Sequence, residues 1–229
     1  MSHPLTTWFE RSRLAAHLGY RPDEPLRFLS QRLCGLWLVW IGAVIVVAAL
    51  FGGAFLIHPL IFGLGYVGGM ALIFGTPAVE RRLSYGPETR FQANMGRLAI
   101  ILMFVLMALI AGRAFATLDY RTIWLGALLA TALHFIPFAF VHGPAMLWMA
   151  LPLTLIALAG FALPELPLLV IAVLDGGVKL SFGIALLRSR RPETVYLSGG
   201  ANGTDRSYQP AGADQPGDLP GGRPGPGRH

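Results

Sequence analysis

The hydrophobic positions of this chain neither repeat at the spacing of an amphipathic helix nor alternate as in a half-buried strand. They run together in six long blocks, near Leu33–Leu56, Leu60–Val79, Leu98–Ala116, Ile123–Phe140, Met146–Leu163 and Leu168–Leu187. Each block holds about 18–24 residues, enough for a helix rising 1.5 Å per residue to cross a hydrocarbon core of about 30 Å. A transmembrane barrel strand would be half as long and would alternate polar with apolar residues. The pattern predicts an all-α, polytopic membrane protein: six transmembrane helices in a bundle.

The breaks between blocks are short. Ile57-His58-Pro59 joins the first pair and Pro164-Glu165-Leu166-Pro167 the last. In both, proline ends one helix and permits the next to begin. The long connection is Glu80–Arg97, with a turn at Tyr85-Gly86-Pro87 and a helix start at Pro87-Glu88 that would carry the third helix beyond the membrane.

Composition agrees with the blocks. Of 229 residues, 54% are hydrophobic and 13% charged, against about 25% charged in an ordinary soluble domain. This excludes a soluble enzyme, a nucleic-acid-binding module, a coiled coil and a disulfide scaffold. The lone Cys34 cannot form an intramolecular disulfide and reads as a small buried thiol. The first 30 residues lack the apolar core of a cleavable signal peptide.

The formal charge of +6 needs no nucleic-acid partner, because its placement explains it. Arg11, Arg13, Arg21, Arg27 and Arg32 precede the first block. Arg81, Arg82, Arg90 and Arg97 follow the second, and Arg188, Arg190 and Arg191 follow the sixth. With six spans these twelve lie on one side, against Arg113 and Arg121 on the other. Positive charge concentrates in cytoplasmic loops, so both termini are expected to be cytoplasmic. The fourth connection, Val141-His142-Gly143-Pro144, belongs to the same side yet carries no arginine.

Three regions follow: a cytoplasmic N-terminal segment (1–32), a transmembrane domain (33–191) and a disordered cytoplasmic tail (192–229). Leu5, Trp8, Phe9, Ser12, Ala15 and Ala16 share one helical face, which suits a short helix on the membrane surface or one packed against the bundle. The tail is rich in Gly, Pro, Asp and Arg and cannot bury enough apolar surface to order. Its Asn202-Gly203-Thr204 matches a glycosylation acceptor, an accidental match on the cytoplasmic side.

Ionisable groups within the spans are costly, so each demands an account. Asp175 and Lys179, the only lysine, stand four apart on the sixth block with the acid first, the favourable order for an intrahelical pair. Counted from Leu168 they lie about 10 and 16 Å deep. Lys179 is too far from the membrane surface to reach water easily and should face the bundle interior. The pair reads either as part of a proton, ion or ligand pathway or as a static salt bridge fixing helix register. His134 is the third candidate, at middle depth and three residues before Pro137, whose ring frees the carbonyl of Leu133. Local hydrogen bonding and a proton relay are the two readings of His134. His58 and His142 occupy turn-like positions at opposite faces. Arg113 can extend outward toward Asp119. Gly65 and Gly69 form a GxxxG pattern that favours close helix packing, within or between chains.

Some chemistry lacks the residues it needs. Bis-histidine haem requires two deep histidines, and only His134 is deep. No cluster suits zinc or di-iron, and there is no nucleotide-binding loop, GxSxG or intramembrane HExxH. No cofactor or metal is therefore expected, and an enzyme is the weaker class.

The segment Leu133–Pro144, LHFIPFAFVHGP, with the apolar block after it, resembles small multi-pass bacterial membrane proteins of an uncharacterised family. The likeness covers the last three helices and implies a bacterial cytoplasmic-membrane protein; it supplies no site residues. The leading functional expectation is a small transporter or channel-like protein with a polar site at Asp175, Lys179 and His134. The alternatives are a structural or assembly subunit that binds partner helices and, third, a membrane enzyme acting on a lipid. The lipid bilayer is the expected partner, with a homodimer or a partner membrane subunit open.

Overall fold

The computed structural model describes residues 16–21, 26–189 and 194–195. Helix α1 spans Gln31–Leu50, α2 Pro59–Ile73, α3 Pro77–Leu83, α4 Arg90–Thr117, α5 Tyr120–His142, α6 Ala145–Ala162 and α7 Leu168–Leu187. Five of these, all but α2 and α3, are each long and apolar enough to cross a membrane, and α2 with α3 makes a sixth if that bent pair is one span. Leu64, Leu109 and Trp148 turn outward and are at least 70% exposed. An outward apolar surface of this kind suits lipid rather than water. The chain thus has the architecture of a multi-pass membrane protein.

Three block boundaries differ from the sequence expectation. The second block is not continuous: α2 and α3 meet at an angle of 71°. Pro77 has no N–H to continue the ladder and forces the preceding Thr76 into an extended conformation (φ −105°, ψ 106°). Alone, the 15 residues of α2 reach only about 22 Å. The first helix stops at Leu50, and Gly53–Phe55 form a short 3-10 turn instead of its last turn. Helix α4 starts at Arg90, later than Pro87-Glu88, because Thr89 and Gln92 form a capping box there.

Helices α1 and α7 form the tightest pair, and glycines set the contact. A Cβ on Gly35 would lie 2.8 Å from the carbonyl oxygen of Gly183, and one on Gly42 would lie 2.8 Å from that of Gly176. Pairing 35 with 183 and 42 with 176 makes the two helices antiparallel. The start of α1 and the end of α7 therefore share one end of the bundle. At that end Leu26–Arg27 (β1) pairs antiparallel with Thr194–Val195 (β2), two residues of the segment that the sequence assigned to the tail. The rest of that tail and residues 1–15, including most of the N-terminal helical face, lie outside the described residues.

The GxxxG of α2 packs within the chain. Positions for Cβ atoms at Gly65 and Gly69 are occupied by Val44 and by Trp40 of α1, and the Trp40 indole N–H donates to the Gly65 carbonyl at 2.8 Å. Helices α4 to α7 pack each against the next, and α1 closes on α7 and α2. Between α2 and α4 there is almost no direct contact, which leaves one side of the bundle open.

Polar groups secure both ends. At the arginine-poor end, the Arg121 guanidinium donates to the carbonyls of Gly160, Leu163 and Leu166 and holds the α6–α7 hairpin. At the other, the Ser30 hydroxyl donates to Glu88 at 2.8 Å and lies 3.1 Å from His142 Nδ1, while Gln31 donates to the His142 carbonyl. His142 is the last residue of α5 and is buried, a deeper position than its turn-like sequence context implied. Gly143 ends the helix at φ +97°, a conformation glycine adopts freely, with Gln31 and Phe28 filling the space a side chain would need.

Candidate functional site

The candidate site is built on α5 and α7. Asp175 and Lys179 are 0% and 1% exposed, so each charge must find its partner inside the protein. Lys179 Nζ donates to Asp175 Oδ2, the only ion pair among the described residues. Asp175 Oδ1 is buried with no hydrogen-bond partner. The pair leaves capacity on both sides, since an ammonium has three donors and a carboxylate about four acceptor positions. Asp175 directly precedes Gly176, whose missing side chain lets α1 approach at Gly42, so a tight helix contact seals the carboxylate from the lipid.

His134 is buried on α5, its ring edge-on to Phe138. Its Nδ1 donates to the carbonyl of Thr131. In its neutral form the ring then presents Nε2 as an acceptor. Pro137 sits inside α5 without ending it, and the carbonyl that holds the imidazole belongs to Thr131, one turn back, rather than to Leu133, which Pro137 frees.

Lys179 and His134 meet at one internal cavity of about 70 Å³. Its walls add Trp37 from α1, Tyr66 from α2 and Trp124 and Thr131 from α5. All three candidate residues thus gather at one place, Lys179 and His134 on the wall and Asp175 behind Lys179. Beside this cavity lies a larger apolar pocket of about 420 Å³ between α2, α4 and α5, at the open side of the bundle. Seven side chains line both, among them Phe62, Tyr66, Trp124 and Thr131. Phe62 and Trp124 meet edge to face, ring centres 5.2 Å apart, and each lines both spaces. The indole N–H of Trp124 donates to the Phe55 carbonyl at 2.9 Å, which fixes that ring.

Sequence reasoning missed this aromatic wall. Its members come from α1, α2 and α5, and only mid-block aromatic residues on separate helices hinted at it. Arg113 does not pair with Asp119; the Asp119 carboxylate instead caps α5 by accepting from the Thr122 backbone N–H and hydroxyl. Among the described residues no three His, Cys, Asp or Glu side chains converge. The site's chemistry rests on one amine, one carboxylate and one imidazole in an apolar setting.

No curated protein and no solved structure significantly matches the chain. The sequence does match the model of a family of unknown function (DUF6609) over residues 21–196. That match takes in every helix described above, and the chain belongs to this family.

Proposed function

We propose that the protein is a small transporter or channel-like protein of the bacterial cytoplasmic membrane, with its intramembrane site at Asp175, Lys179 and His134. The observation that carries this reading is a cavity walled by both Lys179 and His134, with Asp175 paired to the lysine. Buried ionisable groups are retained in membrane interiors chiefly where they bind or relay something. In this reading the bent pair α2–α3 is one span, giving six, with both termini cytoplasmic. The antiparallel α1 and α7 support an even number of spans, and the arginine distribution supports the side.

Flux measurements test the function. Reconstituted wild type should carry protons or a small solute across vesicle membranes, and the Asp175→Asn, Lys179→Met double variant, which strands no buried charge, should fold and carry none. Absence of flux for every solute tried would overturn it. For topology, a Cys34→Ser, Ser198→Cys chain should resist a membrane-impermeant maleimide in spheroplasts and react in inverted vesicles.

A structural or assembly role is the second reading, in which the pair braces α7 and the protein assembles with a second copy or a partner subunit. The backbone contact of Gly176 with Gly42, directly beside Asp175, favours it. A lipid-acting membrane enzyme is third, favoured by the apolar pocket beside the polar cavity.

A further inference from the structure

The ligand class can be read from how the two spaces differ. The outer pocket of about 420 Å³ is within the usual range for small-molecule sites, and its lining is aromatic and aliphatic, with Phe62, Phe104, Phe115 and Trp124 prominent. It lies between α2, α4 and α5, and an occupant of so apolar a space is itself largely apolar and lipid-soluble. The inner cavity, about 70 Å³, has room for a small head only, since a water alone takes about 30 Å³.

The charge of the head follows from Asp175. Lys179 already has a carboxylate beside it. A ligand carboxylate or phosphate would bring a second anion into a buried site and repel the first. A neutral carbonyl brings none. The same carbonyl can react with the lysine, because an amine in an apolar pocket is a nucleophile toward carbonyl carbon.

We propose that Lys179 binds a lipid-soluble aldehyde covalently, as a protonated imine whose counter-ion is Asp175, with the aldehyde's apolar chain in the pocket between α2, α4 and α5. This rests on the site assigned above and names its ligand. The steps balance without any oxidant or reductant. Asp175 takes a proton from the Lys179 ammonium, and the amine's electron pair attacks the aldehyde carbon. A proton passes from nitrogen to the former carbonyl oxygen, giving a carbinolamine. Asp175 returns its proton to the hydroxyl, which leaves as water while the nitrogen electron pair forms the C=N bond. The product keeps one positive charge on nitrogen and one negative charge on Asp175, the same balance as the resting pair. Asp175 Oδ1, which has no partner, is free to accept from the released water. Phe62, Tyr66 and Trp124 offer aromatic surface to an unsaturated chain.

The experiment uses the full chain in lipid nanodiscs, with all-trans-retinal as the probe aldehyde. Wild type should give a red-shifted absorbance band, and borohydride should fix a reduced adduct on the peptide containing Lys179. Lys179→Met should give neither. Asp175→Asn, which lacks the proton carrier, should form the adduct more slowly, and without its counter-ion the imine should lose its proton at lower pH, so that the red-shifted band fades at neutral pH. Thr131→Leu, which narrows the cavity and leaves the pair intact, should slow adduct formation at least 10-fold. Retinoic acid should protect Lys179 no better than retinol.

No adduct on folded wild type, an equal adduct on Lys179→Met, or a band indifferent to Asp175→Asn would overturn the proposal. Stronger protection by retinoic acid would replace it with an anionic ligand. Flux measured in the same membranes without aldehyde separates the two readings. Flux with no adduct removes only the aldehyde, and an adduct in a protein that carries no flux removes only the transporter.

Discussion

Lys179 lies one helical turn beyond Asp175 on α7 and donates to its Oδ2, while the other oxygen of that carboxylate has no partner. Removing one member leaves a buried charge without compensation, which costs about 3–5 kcal/mol, whereas replacing both with neutral groups is often nearly neutral. Asp175→Asn and Lys179→Met should each lower stability by about that amount, and the double variant should lose less than either single one. Unfolding in mixed micelles measures the three. A double variant whose loss equals the sum of the singles would mean that the two groups are not coupled.

The glycines divide into two classes with opposite expected responses. At Gly42 an added Cβ meets the Gly176 carbonyl oxygen at 2.8 Å, and backbone cannot step aside. Gly42→Val should lower stability by about 1–3 kcal/mol through overpacking. At Gly63 nothing lies within 4 Å, so Gly63→Ala should be neutral or stabilising by up to about 1 kcal/mol through helix propensity. Equal losses at both positions would contradict the α1–α7 contact.

Asp119 gives a pH signature outside the membrane-spanning helices. The hydroxyl and then the backbone N–H of Thr122 hold its carboxyl below the ordinary carboxylate value. A lowered folded-state value means the cap's contribution is fully present above the ordinary pKa of about 3.9 and fades as pH falls through the folded value. Asp119→Ala should lose about 1 kcal/mol at pH 7. The gap to wild type should close in acid; a gap that widens there would exclude the cap as its source.

Gln92 ties three segments at the arginine-rich end. Its amide donates to the carbonyls of Arg27 and Phe140 at 3.0 and 3.3 Å, and its oxygen accepts from the Thr89 N–H. The side chain is buried. Gln92→Leu strands those groups and should cost about 1–3 kcal/mol. Hydrogen exchange should accelerate at the start of α4 and around Leu26–Arg27. Protection unchanged at β1 would show that the amide does not hold that segment.

What the sequence by itself determined is whatever depends on neighbours along the chain. Six apolar runs, the proline hairpin before α7 and the spacing of Asp175 and Lys179 are one-dimensional facts. An i, i+4 pair on one helix forms wherever that helix goes, and the low charge content forces the apolar runs into lipid. The break at Thr76 was also present locally, in Gly75 and Pro77, but a hydropathy block passes over two residues that only redirect the chain.

Tertiary structure decided the rest, because it depends on which helices touch. That α1 lies antiparallel against α7 follows from glycine surfaces on helices more than a hundred residues apart. The same packing brings Trp37, Tyr66 and Trp124 around Lys179 and His134, and the missing contact between α2 and α4 opens an apolar pocket beside them. No spacing in the chain encodes an absent contact. A buried salt bridge could be read from Asp175 and Lys179 alone; the cavity in front of it exists only because the helices leave that space unfilled.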